Sequence, residues 1–186
     1  MENPFSTKFW ASGTIPFQFS ESGDSLGALQ ERARRKLICQ IVGPHGSGKS
    51  ALLLNLMRRY KEDGDDVRHI FLNDQHRRVP EEITFQKHHI IFADGFEQLR
   101  FGDRLWLLRQ SKRLILTVHR PVWLVPILYR TKPQYSIFVQ IVRRIAPDAP
   151  DESVLRAVYE RSGGNFRSAF FELYDMWESL SADRCR

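Results

Sequence analysis

The chain is poor in cysteine, with two in 186 residues. Cys39 and Cys185 lie far apart without metal-ligand spacing, which excludes a disulfide framework or a thiolate metal site built from them. A single thiol inside an apolar run at Cys39 fits a reducing compartment. No apolar run is long enough to cross a bilayer. The opening residues, MENPFSTKFWASGTIPFQF, lack the basic start and apolar block of a secretory signal. A soluble, cytoplasmic protein without a membrane partner is therefore the expectation. There is no internal repeat, no helix-turn-helix and no zinc-finger spacing, and the one low-complexity stretch is SESGDS at Ser20 to Ser25, expected to act as a hinge. Charge is only mildly one-sided. The chain has 28 Lys plus Arg against 22 Asp plus Glu, a net +6, which favours anionic partners weakly and excludes an arginine-rich tail.

What is present is a pattern of short apolar runs alternating with helical segments, the mark of a parallel α/β fold. The spacing predicts strands at Leu37–Val42, Val67–Leu72, His89–Ala93, Leu114–Val118 and Tyr135–Val142. Helices are expected over Leu26–Lys36, Lys49–Glu62 and FEQLRFGDRLWLLRQS, the last either continuous or broken at Gly102. After Pro147 the pattern becomes two helices around SGGN, with Asp151 as an N-cap candidate. Three regions follow: an aromatic arm and short helix over 1–36, a core over 37–146 and a small helical lid over 147–186. Phe5, Phe9, Trp10, Phe17 and Phe19 make the arm an extended strap packed on the core, or else a wall for an adenine ring.

The stretch QIVGPHGSGKSALLLNLMRRY carries the most chemistry. Gly43, Gly48, Lys49 and Ser50 fill the pattern G-x-x-x-x-G-K-[ST], between a predicted strand and a predicted helix. Such a loop turns successive backbone N–H groups inward, and the following helix adds its positive end, so the segment is suited to hold phosphates. Gly43, Pro44, His45, Gly46, Ser47, Gly48, Lys49, Ser50 and Ala51 are the expected cradle for ATP. Lys49, expected to face solvent until nucleotide arrives, would reach the β- and γ-phosphates, and the Ser50 hydroxyl would ligate Mg²⁺. The apolar run HHIIFAD ends in Asp94, a carboxylate placed to hold the same metal directly or through water.

In order along the chain, GPHGSGKS, IIFADGFEQL, RLILTVHRP and RSGGNFRSAFFEL resemble the motifs of AAA+ ATPases and their STAND relatives. That resemblance implies a P-loop NTPase three-layer sandwich with a central parallel sheet of about five strands and a C-terminal helical lid. It also implies that Thr117, with His119 and Arg120 as alternatives, ends the fourth strand near the γ-phosphate, and that Arg167 reaches the nucleotide from the final lid helix. One departure is that Asp94 is followed by Gly95 and Phe96, with the next acid at Glu97, closer to the D-G-x-[DE] of STAND switches. Glu97 either acts as the base for water or caps the next helix.

Three function classes follow. One is a small AAA+-like ATPase that couples Mg-ATP binding and slow hydrolysis to lid movement. A second is a nucleotide-loaded switch with negligible turnover. The third is a small-molecule kinase in which NDQHRRVPEE supplies a basic loop. Basic clusters at Arg32–Lys36, Arg58–Arg59, Arg77–Arg78 and Arg143–Arg144 are either ordinary surface charge beside acids such as Glu62, Asp63, Glu81 and Glu82, or a nucleic-acid stripe. A protein partner or self-assembly stays open.

Overall fold

Residues 2–19, 24–80, 89–148 and 150–184 are described by a computed structural model. Most of the expected hinge at Ser20–Ser25, together with Glu81, Glu82 and Cys185, lies outside them. The described residues form a short helix α1 (Thr7–Trp10), α2 (Leu26–Arg34), β1 (Ile38–Val42), α3 (Lys49–Glu62), β2 (Val67–Phe71) and β3 (Ile90–Asp94). A 3₁₀ turn (Phe96–Gln98) leads into α4 (Phe101–Gln110), β4 (Arg113–Val118), β5 (Ile127–Arg130), α5 (Tyr135–Ile145), α6 (Glu152–Arg161) and α7 (Phe166–Arg184). All strand pairs are parallel, in the order β2-β3-β4-β1-β5.

The inner strands β1, β3 and β4 are mainly apolar because both faces of the sheet are covered there, whereas the edge strand β2 leaves Arg68, His69 and Phe71 exposed. Side chains alternate across it. Cys39, Ile41, Phe92 and Ile115 meet Leu52, Leu53 and Leu56 of α3 on one face. Leu114, Leu116, Ile91 and Ala93 meet Leu107 and Phe96 on the other. Leu52, Leu53 and Leu56 are fully buried; truncating any of them to Ala should cost about 2–5 kcal/mol. A third cluster joins Phe138 and Val142 of α5 to Leu155 and Val158 of α6 and Ala169, Phe170 and Leu173 of α7. No helix among the described residues is long and apolar enough to cross a membrane.

Two expected elements are corrected. Tyr135–Val142 is not a strand but the first two turns of α5, and the fifth strand is the shorter run Ile127–Arg130. Its residues are β-branched and aromatic, which favours a strand locally. However, Phe138 and Val142 stand one turn apart and bury their stripe against α6 and α7, and that packing overrides propensity. The helical bundle therefore takes in α5 as well as the two helices after Pro147. The segment after Asp94 breaks at Leu99–Arg100, between the 3₁₀ turn and α4, and Gly102 lies inside α4. Asp151 sits at the N-cap position of α6 but makes no side-chain cap bond.

The aromatic arm packs. Phe5 is buried in the helical cluster, Trp10 stacks on Phe170 at 5.1 Å, and Phe17 and Phe19 meet Tyr129 edge-on. Part of it is the helix α1 rather than extended chain.

Candidate nucleotide site

The phosphate loop runs from the end of β1 to the start of α3. Gly46 and Gly48 both take positive φ, 67° and 87°. A Cβ on Gly46 would stand 1.8 Å from Asn165 Oδ1, and one on Gly48 would stand 3.1 Å from the Phe17 ring. Glycine is thus required both by the backbone and by what presses on the loop. Ser47 Oγ donates to the Pro44 carbonyl at 2.8 Å and pairs with Thr131 Oγ1 at 2.6 Å, tying the loop to the end of β5.

Lys49 differs from expectation. It is only 7% exposed, and its ammonium donates to the Pro44 carbonyl at 2.7 Å. A lysine on the first turn of α3 curls back over the loop, where the carbonyl oxygen holds it. Burial lowers its pKa, partly offset by Glu97 and Asp94, while Arg167 pushes the same way as burial.

Asp94 ends β3, and Thr117 lies on β4 directly beside it. Asp94 Oδ1 accepts from Ser50 Oγ at 3.0 Å and from Thr117 Oγ1 at 2.7 Å, and Thr117 Oγ1 in turn accepts from Gly95 N at 2.8 Å. In the sheet it is β4 that separates the loop-bearing strand from the Asp94 strand; Val67–Phe71, which separates them in sequence, is an edge strand.

A cavity of about 480 Å³ opens beside the loop, lined by Gly46–Ala51, by Trp10 and Phe17 of the arm, by Tyr129, and by Phe166 and Arg167 of α7. Asp94 and Thr117 reach it only through Ser50. Helix α7 touches the loop itself, since Phe166 N donates to the Gly46 carbonyl at 3.3 Å.

Glu97 lies around the corner, lining a second cleft with His119, Arg104 and Arg120. Its Oε1 is 3.2 Å from His119 Nδ1, outside hydrogen-bond geometry, and Oε2 is buried without a partner. The His45 ring stands edge-on to His119 at 3.6 Å. Burial raises the Glu97 pKa. Burial, with Lys49 and His45 nearby, drops His119 to about 4, so its ring is neutral at neutral pH.

The oxygen donors Ser50 and Asp94 suit a hard divalent cation such as Mg²⁺, and no group of three or more His, Cys, Asp or Glu among the described residues forms a cage of its own. Two protein oxygens leave most of the coordination shell to phosphates and water.

The structure places Gly46–Ala51 and Arg167 around one cavity, with Asp94 and Thr117 joined to it through Ser50. It gave no sign of Thr131, whose strand was unassigned. Asn165 could have been found from the residue following the two glycines of SGGN.

Solved structures of the same shape include the RuvB Holliday junction branch migration motor of Thermotoga maritima, which is 16% identical over 86% of this chain with a TM-score of 0.58. The fold is that of the AAA+ P-loop ATPases. Domain III of the replication initiation protein DnaA from the same organism matches 84% of this chain and 84% of its own length, at 16% identity and a TM-score of 0.53. The chain spans 61% of the RuvB chain. At these identities the likeness is one of AAA+ fold. No family model and no curated protein matches the sequence.

Proposed function

We propose that the chain binds Mg²⁺-ATP in the Gly43–Ala51 loop, hydrolyses it slowly, and links nucleotide occupancy to the seating of α7. The observation that carries this reading is the junction of loop and lid: Phe166 N on the Gly46 carbonyl, with Arg167 facing the same cavity as Lys49. Anything that reshapes the loop must act on the first turn of α7.

In this reading the backbone N–H groups of the loop and the start of α3 hold the phosphates. Lys49 exchanges the Pro44 carbonyl for phosphate oxygens. Ser50 and Asp94 hold the cation, which neutralises phosphate charge when bound. Thr117 fixes the Asp94 carboxylate, and Arg167 meets phosphate from the lid. The apolar wall of Trp10, Phe17 and Tyr129 suits a purine base.

Glu97, the nearest candidate base, faces the second cleft and has a raised pKa. That placement favours low turnover, and at its limit a switch that exchanges nucleotide without hydrolysis. Steady-state phosphate release should stay well below about 1 s⁻¹, and Glu97→Gln should lower it further if the carboxylate swings inward. Titration of a fluorescent ATP analogue tests the site itself. Lys49→Ala should weaken binding at least tenfold, and Asp94→Asn should weaken it only when Mg²⁺ is present. Lys49→Ala binding as tightly as the parent would remove the nucleotide reading.

A further inference from the structure

Between Asp103 and Asp148 the sequence has nine lysines and arginines and no acidic residue. The whole chain carries only +6, so everything outside that stretch is net acidic. Two of its segments, α4 and the connection from β4 to β5, cover the same apolar cluster through Leu107, Leu108 and Val122. They lie side by side in one outer layer of the sandwich.

A crossover between parallel strands ordinarily takes a dozen or more residues; this one takes eight, His119–Pro126. Fully buried Gln40 on β1 anchors it. Gln40 Nε2 donates to the carbonyls of Val122 at 2.9 Å and Val125 at 2.6 Å, and Oε1 accepts from Val122 N at 2.8 Å. Between Pro121 and Pro126 the turn leaves Trp123 and Leu124 86% and 80% exposed. Leu124 has φ 64°, the one positive φ at a non-glycine residue among the described residues, a conformation reached against side-chain sterics. A buried amide and two prolines hold a strained turn whose outcome is two apolar side chains in water. Nothing in the packing of the core requires that.

We propose that this turn and the basic residues beside it form a binding surface for single-stranded nucleic acid. Arg109 and Lys112 are exposed near the start of β4 and Arg120 is exposed past its end. A six-residue strand separates them by roughly 20 Å. Positive charge therefore stands at both ends of this layer, a spacing that a phosphate backbone can bridge. Trp123 offers a flat face for a base and Leu124 a wedge beside it. A two-residue tip has neither the length of a helix nor the width of a ribbon for reading a duplex groove, so unpaired bases are the fitting ligand. An anionic membrane would instead be met by charges gathered around the tip in one plane.

The inference does not depend on the nucleotide reading, and its test uses no nucleotide. Fluorescence anisotropy of a labelled oligothymidylate is followed at about 50 and about 200 mM salt. The parent should bind, more weakly at the higher salt. Trp123→Ala should lose about tenfold in affinity, and Trp123→Phe should recover most of it. Replacing both Arg109 and Lys112 by Gln should reduce the log–log salt slope by about 1.4. The far-UV circular dichroism spectrum and melting temperature of Trp123→Ala should match the parent's, which shows that the variant is folded. No oligonucleotide binding at the lower salt, or equal binding by Trp123→Ala, overturns the proposal. So does Trp123-dependent binding to phosphatidylserine vesicles, or Trp123-dependent self-association, without oligonucleotide binding.

Discussion

Two neighbouring corners at the carboxyl ends of the strands are built in opposite ways. Around Asp94 the polar atoms are matched: Ser50 and Thr117 donate to the carboxylate, and Gly95 N donates to Thr117. Around Glu97, Oε2 and the His119 Nδ1 are buried without hydrogen-bond partners. The first corner is therefore a preset platform, while the second leaves two polar atoms unmatched beside an open cleft. A site that must hold a ligand needs the first kind of corner. A site that must rearrange during its cycle can use the second.

The largest effect should come from breaking the matched corner. Thr117→Val removes a donor to Asp94 and strips Gly95 N of its acceptor while keeping the shape, and should destabilise the fold by about 1–3 kcal/mol in urea unfolding at neutral pH. A change under about 0.5 kcal/mol, within the usual range for surface substitutions, would show the hydroxyl to be dispensable.

The unmatched corner should respond to pH. His119 drops from 6.5 to about 4 in the fold, so its neutral form is the one the structure favours. The resulting stability is complete above pH 6.5 and is lost as pH falls toward about 4. Glu97 acts in the opposite sense, since its raised pKa removes stability as pH rises through the folded value. His45 and Lys49 also face this corner, but both remain in the variant. His119→Gln should therefore flatten the fall in melting temperature between pH 6.5 and 4; an unchanged slope would mean that other groups govern the acid limb.

The smallest effect should lie at α7. Arg167 is exposed at the start of α7, so Arg167→Ala should leave stability within about 0.5 kcal/mol of the parent. It should reduce the extra hydrogen-exchange protection that ATP, compared with ADP, gives α6 and α7. Equal protection with both nucleotides in the parent would make the helical bundle a passive support.

The difference between the corners also marks how far the sequence could be read. Asp94 is legible because an apolar run ending in an acid, following a glycine-rich loop, has a local signature. The corner at Glu97 joins residues from the loop, from just past β4 and from the 3₁₀ turn, and no local pattern announces that His45, His119 and Glu97 meet. Lys49 was identified but misplaced in solvent, because its hydrogen bond to Pro44 depends on how the loop closes over the first turn of α3.

The same division runs through the whole chain. The loop, α2, α3, four of the five strands and the α6–α7 pair follow from glycine placement and hydrophobic periodicity, which act over a few residues. The fate of Tyr135–Val142, the choice of Ile127–Arg130 as the fifth strand, the contact of Phe166 with Gly46 and the exposure of Trp123 were decided only by the tertiary structure. Each depends on which surfaces meet across long sequence separations. Burying Phe138 and Val142 against α6 and α7 outweighs a strand propensity that spans only about 1 kcal/mol, and Gln40 can hold the Trp123 turn only once β1 lies beneath it.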